Sequence, residues 1–118
     1  AARRFQLLSN AMRQISPAQL AQRLNDAQQP APLLLDVREP WELEICLIEG
    51  SVAMPMGSVP ARFPELDRDR ETVVICHHGG RSAQVCMFLE RQGFSSVINL
   101  AGGVAGWAAQ VDPRMAQY

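Results

Sequence analysis

Thr72-Val73-Val74-Ile75-Cys76-His77-His78-Gly79-Gly80-Arg81-Ser82 is the stretch on which the reading of this chain turns. Its first four residues are β-branched with no polar alternation, as in a short strand buried on both faces. From Ser82 to Gln92 the residues Val85, Phe88, Leu89 and Gln92 recur at helical spacing, and Gly93 stands where a helix stops. A cysteine therefore leaves a buried strand, crosses a short glycine-containing loop and meets a helix N-terminus. Such a place stabilises an anion, or a sulfur that becomes one.

The flanking sequence supplies the rest of a sheet. Ser16 can cap a helix that Pro17 opens and that carries Leu20, Leu24 and Ala27 before fading by Gln28-Gln29-Pro30. Leu33-Leu34-Leu35-Asp36-Val37 reads as a buried strand, Arg38 to Glu44 as a brief helix, and Val52-Ala53-Met54 as a short strand. Ser58 to Leu66 has helical spacing, shortened or kinked by Pro64. Asp67-Arg68-Asp69-Arg70 is a solvated turn, and Ser96 to Leu100 is another strand. Gly102-Gly103 opens a last helix through Trp107. Trp107 and Trp41 are both expected to anchor their helices in the core. Strands alternating with helices over short connections predict an α/β domain, a parallel sheet of about five short strands with helices on both faces.

Composition narrows the function classes. At 118 residues, 47% hydrophobic and 19% charged, the chain has the make-up of one globular domain. A net charge of -1 without a basic stripe gives no expectation of a nucleic-acid partner. No apolar run is long enough for a membrane span. Three cysteines without paired spacing argue against a disulfide framework, so a reduced, cytoplasmic setting is expected. Ser9-Asn10-Ala11 before Met12 reads as a scar, which would make residues 1–11 a tag or extension and 12–118 the domain. A native helical arm built on Phe5, Leu7 and Leu8 is the other reading.

Within the loop, Cys76 is the candidate nucleophile. A free thiol has a pKa of ~8.5 and is mostly protonated at neutral pH. Gly79 and Gly80 allow the backbone to curl so that amides converge as a nest. The helix beginning near Ser82 adds its positive end, and Arg81 a permanent cation. An inert buried cysteine is the competing reading, and the glycines and arginine in the same turn weigh against it. His77 and His78 belong to the mouth of the site, where protonation would favour an anionic donor and give a pH dependence near neutrality. Three consecutive residues do not converge on a tetrahedral zinc ion, so no metal is expected. Asp36 and Arg38 end their strand beside the loop and read as supporting residues, either bracing it or forming an ordinary ion pair. Cys86 is expected in the core beneath its helix. A redox pairing of Cys46 with Cys76 is left open.

Cys76-x-x-Gly79-x-Arg81-Ser82 resembles the active loop of single-domain rhodaneses, the thiosulfate:thiol sulfurtransferases. Asp36-Val37-Arg38-Glu39 and Gly102-Gly103-Val104-x-x-Trp107 agree with the family in order and separation, from about Ile15 to Trp107. Leu47 stands where the family usually has a histidine. The resemblance implies a Cys76 persulfide formed from a small donor such as thiosulfate or a similar anion. A thiol, a protein cysteine or cyanide then takes the sulfur, and no cofactor is required. A persulfide carrier with little turnover on small donors is the alternative, and a catalytically dead regulatory copy is disfavoured by the intact cysteine. The related phosphatases and arsenate reductases use a Cys-x5-Arg loop, one residue longer than the Cys-x4-Arg present here.

Overall fold

The computed structural model describes residues 13–118. The expected extension 1–11 lies outside the described residues. Five strands, β1 (Arg13–Ile15), β2 (Leu33–Asp36), β3 (Val52–Ala53), β4 (Thr72–Ile75) and β5 (Val97–Leu100), form one sheet in the order β1-β5-β4-β2-β3. Every pairing is parallel, with Leu35 opposite Val74 and Val73 opposite Ile98. The helices are α1 (Pro17–Asn25), α2 (Pro40–Ile45), α3 (Val59–Arg62), α4 (Gly80–Arg91) and α5 (Gly103–Gln110).

Neighbouring residues of one strand serve opposite layers, because successive side chains leave a strand on opposite faces. Leu35 and Val74 join Val59, Val85, Cys86 and Leu89 under α3 and α4. Leu34, Val73, Ile75, Ile98 and Leu100 join Leu20, Val104 and Trp107 under α1 and α5. The parallel sheet with helices on both faces is the architecture the sequence predicts. Local signals agree: Ser16 accepts from the Gln19 amide at 3.1 Å while the Gln19 side chain accepts from Ser16 at 2.9 Å, closing a capping box ahead of Pro17.

Three details differ from the expectation. No strand is expected ahead of the Ser16 cap; β1 is a three-residue edge strand with two exposed side chains, too short for a periodic signal. The helix anticipated over Ser58–Leu66 is a 3-10 turn (Met56–Ser58), a single α turn and a second 3-10 turn (Phe63–Glu65). Pro60 and Pro64 lack the amides a continuous helix would need. Trp41 is not a core anchor: it is 59% exposed, while Trp107 is buried as expected. Helix α2 is only six residues long, and its inward side is occupied by Glu42.

Candidate active site

The carboxyl ends of β2, β4 and β5 lie side by side, and Cys76 follows β4, the middle strand of the three. Ligands of open parallel sheets collect at this edge. Helix α4 begins at Gly80, two residues before the predicted start, so Arg81 and Ser82 belong to its first turn. The N-cap Gly79 has φ +106°, a left-handed conformation suited to glycine. Its N–H donates to Cys76 Sγ at 3.0 Å. Gly80 is different: its φ is ordinary and a Cβ there would meet nothing within 4 Å. Of the two loop glycines, only Gly79 is required by the backbone.

The loop is held from behind by the start of α5. The Val104 and Ala105 amides donate to the Cys76 and His77 carbonyls at 2.9 and 3.1 Å. Gly102 and Gly103 both have positive φ, and a Cβ on Gly103 would lie 2.3 Å from the Cys76 carbonyl oxygen. With these carbonyls tied away, the first-turn amides of α4, which have no partner within the helix, are left for an anion at the sulfur.

Cys76 is 1% exposed, and its sulfur lies 3.2 Å from Ser82 Oγ. Ser82 donates its one proton to Asn99 Oδ1 at 2.5 Å, so in the thiol form Cys76 donates to Ser82. Asn99 Nδ2 donates to the Gly79 carbonyl and to Gln14 Oε1, both at 3.1 Å, which fixes the orientation of the amide. Asn99 was not singled out by the sequence reading, although one polar residue within Val97-Ile98-Asn99-Leu100 is a usable signal.

Arg81 makes no hydrogen bond to the sulfur, although the two interact through their charges. Its guanidinium makes a bidentate pair with Glu42, at 2.7 and 2.8 Å. The Arg81 hydrogen bonds hold the Glu42 carboxyl down at about 2 against the opposing effect of burial, with help from Tyr118. Much of the Arg81 charge is thereby matched, and the groups nearest Sγ are amides and the Ser82 hydroxyl.

Asp36 and Arg38 form a fully buried bidentate pair, with Nε–Oδ1 at 3.0 Å and Nη2–Oδ2 at 2.8 Å. Burial opposes the Arg38 cation, but Asp36 and Tyr118 outweigh it and hold its pKa above the usual range. Arg38 also donates to the Cys46 carbonyl at 2.8 Å and to the Glu42 carbonyl at 3.4 Å. It caps the C-terminal end of α2, a favourable place for a cation. The pair thus fixes the helix from which Glu42 reaches Arg81.

His77 lies between two rings: Tyr118 is stacked on it at 3.8 Å and His78 at 3.9 Å. The Tyr118 hydroxyl donates to Glu42 at 2.6 Å and accepts from Arg38 at 3.0 Å. Burial, then the Glu42 carboxylate, push that phenol up to about 12. Glu42 and Tyr118 both escaped the sequence reading; the first has only the weak signal of an acid on the helix after Asp36-Val37-Arg38, the second none.

The sequence profile of the rhodanese-like domain matches residues 16–110. The chain belongs to the rhodanese-like domain family. It is 38% identical over 103 residues to a sulfurtransferase of Allochromatium vinosum, covering 87% of this chain and 94% of that protein. It is 35% identical over 91 residues to a thiosulfate sulfurtransferase of Pseudomonas syringae, covering 77% and 83% respectively. A crystal structure of a rhodanese-related protein from Thermoplasma volcanium superposes with a TM-score of 0.75 at 33% identity, covering 84% of this chain and 93% of that one. Among the described residues, no helix is long and apolar enough to cross a membrane.

Proposed function

We propose that the chain is a sulfurtransferase that moves a sulfane sulfur from a small anionic donor such as thiosulfate to a thiol, a protein cysteine or cyanide, through a persulfide on Cys76. The observation carrying this reading is the sulfur itself, one residue beyond β4, with the Gly79 N–H on it and the first turn of α4 beneath. Oriented amides and a helix N-terminus are the groups that bind an anion.

Both steps balance without a cofactor. The Cys76 thiolate attacks the outer sulfur of thiosulfate, that S–S bond breaks, and sulfite leaves with its electron pair. The persulfide anion then occupies the cradle, where the Gly79 N–H and the free first-turn amides of α4 are the available donors. An acceptor thiolate or cyanide attacks the outer sulfur, and the electron pair of the Sγ–S bond returns to Cys76. The short Cys-x4-Arg loop and the engagement of Arg81 by Glu42 favour this over phosphoryl transfer, where an arginine would be needed on the transferred group.

Intact-mass measurement tests the assignment directly. Incubation with thiosulfate should add one sulfur to the chain, and cyanide should remove it. No adduct, or an adduct that persists in Cys76→Ser, would overturn the role given to Cys76.

A further inference from the structure

The surface beside the catalytic loop is unlike the remainder of the described surface. Among the described residues, the exposed large apolar side chains are Trp41, Ile45, Leu47, Val52, Met87 and Tyr118. All but Met87 belong to α2, to the stretch from α2 through β3, or, for Tyr118, pack edge-on against Trp41 at 5.8 Å. Trp41 and Ile45 are four residues apart and share one face of α2 with Glu44 between them. The other face sends Glu42 to Arg81. Helix α2 is therefore two-sided, with one side tied to the loop and the other bare.

Along the segment that carries this bare face the charge has one sign. No lysine or arginine occurs between Arg38 and Arg62, while Glu39, Glu44 and Glu49 are all exposed. Arg81 matches Glu42, and among the described residues no ion pair engages these three. A frame of that kind attracts basic side chains. An exposed tryptophan within an acidic frame suits a macromolecule with apolar and basic side chains, for which Trp supplies large contact area at low entropic cost. The patch is also continuous with the catalytic loop, because the Tyr118 ring makes a T-shaped contact with Trp41 and stacks on His77.

We propose that the solvent face of α2, extended by Leu47 and Val52, docks a protein acceptor whose contact surface is basic and apolar and which carries the thiol that takes sulfur from Cys76. The proposal rests on the sulfurtransferase reading. The partner's thiolate attacks the outer sulfur of the Cys76 persulfide, the Sγ–S bond breaks with its electron pair returning to Cys76, and the partner leaves as the persulfide. No oxidant or reductant enters.

The probes are synthetic peptides with one cysteine among leucines and either lysines, glutamines or glutamates, assayed as acceptors with thiosulfate as donor; cyanide is the reference acceptor. Transfer to the lysine peptide should be about tenfold more efficient than to the glutamate peptide, with the difference shrinking at high salt. Trp41→Ala, or Glu44→Arg with Glu49→Arg, should remove most of that advantage through KM while cyanide turnover stays within about twofold. Equal use of all three peptides, or an advantage that survives these substitutions, overturns the docking face. Loss of cyanide turnover in wild type sinks the sulfurtransferase reading instead, and docking is then judged by Trp fluorescence titration with a serine-for-cysteine lysine peptide. Absence of saturable binding there overturns the proposal. A dimer in sedimentation that Trp41→Ala dissolves gives the face to a second copy and overturns it too.

Discussion

Glu42 and Arg81, 39 residues apart in sequence, are joined by two hydrogen bonds of 2.7 and 2.8 Å, with the carboxylate nearly buried and the guanidinium partly exposed. This pair fastens the first turn of α4 to α2. Glu42→Gln keeps an acceptor for Tyr118 but removes the charge. Because solvent screens Arg81, the expected loss lies between those of surface and buried pairs, about 1–3 kcal/mol. The folded carboxyl is held at about 2 against an ordinary 4.5, so its stabilisation is complete above 4.5 and lost as pH falls toward 2. Urea unfolding across that window should show a steeper acid loss in wild type than in Glu42→Gln. Parallel curves would contradict the pairing.

Gly103 and Gly80 flank the same loop and should answer oppositely to alanine. At Gly103 a Cβ meets the Cys76 and His77 carbonyls at 2.3 and 2.4 Å, and φ is +58°. The left-handed backbone alone costs about 1–2 kcal/mol, and displacing the loop adds to it. Gly103→Ala should therefore lower the melting temperature and cut sulfur transfer together. Gly80→Ala, in a helical position with open space, should stabilise by about 0.4–1 kcal/mol and leave transfer intact. Thermal unfolding and a thiocyanate assay measure both.

What the sequence disclosed, and what it withheld, follow from the range of each interaction. The strand Thr72–Ile75, the cysteine after it and the helix behind it are local patterns, legible because burial and periodicity act over a few residues. The capping of α1 by Ser16 is equally local. The partners that set the site's electrostatics are distant: Glu42 for Arg81, Asn99 for Ser82, and Tyr118 for both Glu42 and Arg38. No spacing rule links residues 42 and 118. Trp41 was misplaced for a related reason, since hydrophobicity alone does not tell which face of a six-residue helix is covered.

His77 should titrate below the ordinary imidazole range. Burial is the main cause, followed by the charge of His78, while Glu42 opposes the shift and Arg81 adds to it. The unfolded imidazole takes a proton near 6.5, but the folded one resists it. The stability contribution is therefore complete above 6.5 and lost as pH falls through that value toward the folded pKa. His77→Phe keeps a ring between Tyr118 and His78 and removes the titration. The stability difference between wild type and variant, from urea melts, should change just below 6.5 and be flat above it. The same shift carries the His77 limb of any pH–rate profile below neutrality, lower than residue type alone suggests.

The three cysteines should separate cleanly by reactivity. Cys86 lies beneath α4 at 1% exposure, and burial pushes its thiol up to about 12. Thiolate is the nucleophile, so this sulfur should stay unmodified by iodoacetamide at mildly alkaline pH until the chain unfolds. Cys46 is partly exposed, 3.8 Å from Arg38 Nη1, and is open to the reagent in the native state. Cys76 is equally buried but stands in the catalytic loop with the Gly79 N–H on its sulfur, and prior loading with thiosulfate should move the label from Sγ to the added sulfur. Peptide mapping after native and denatured labelling distinguishes the three. Cys86→Ala should cost about 1 kcal/mol through a small cavity and leave transfer to cyanide unchanged. Native labelling of Cys86, or a matching loss of transfer, would give that thiol a part in the chemistry that its burial argues against.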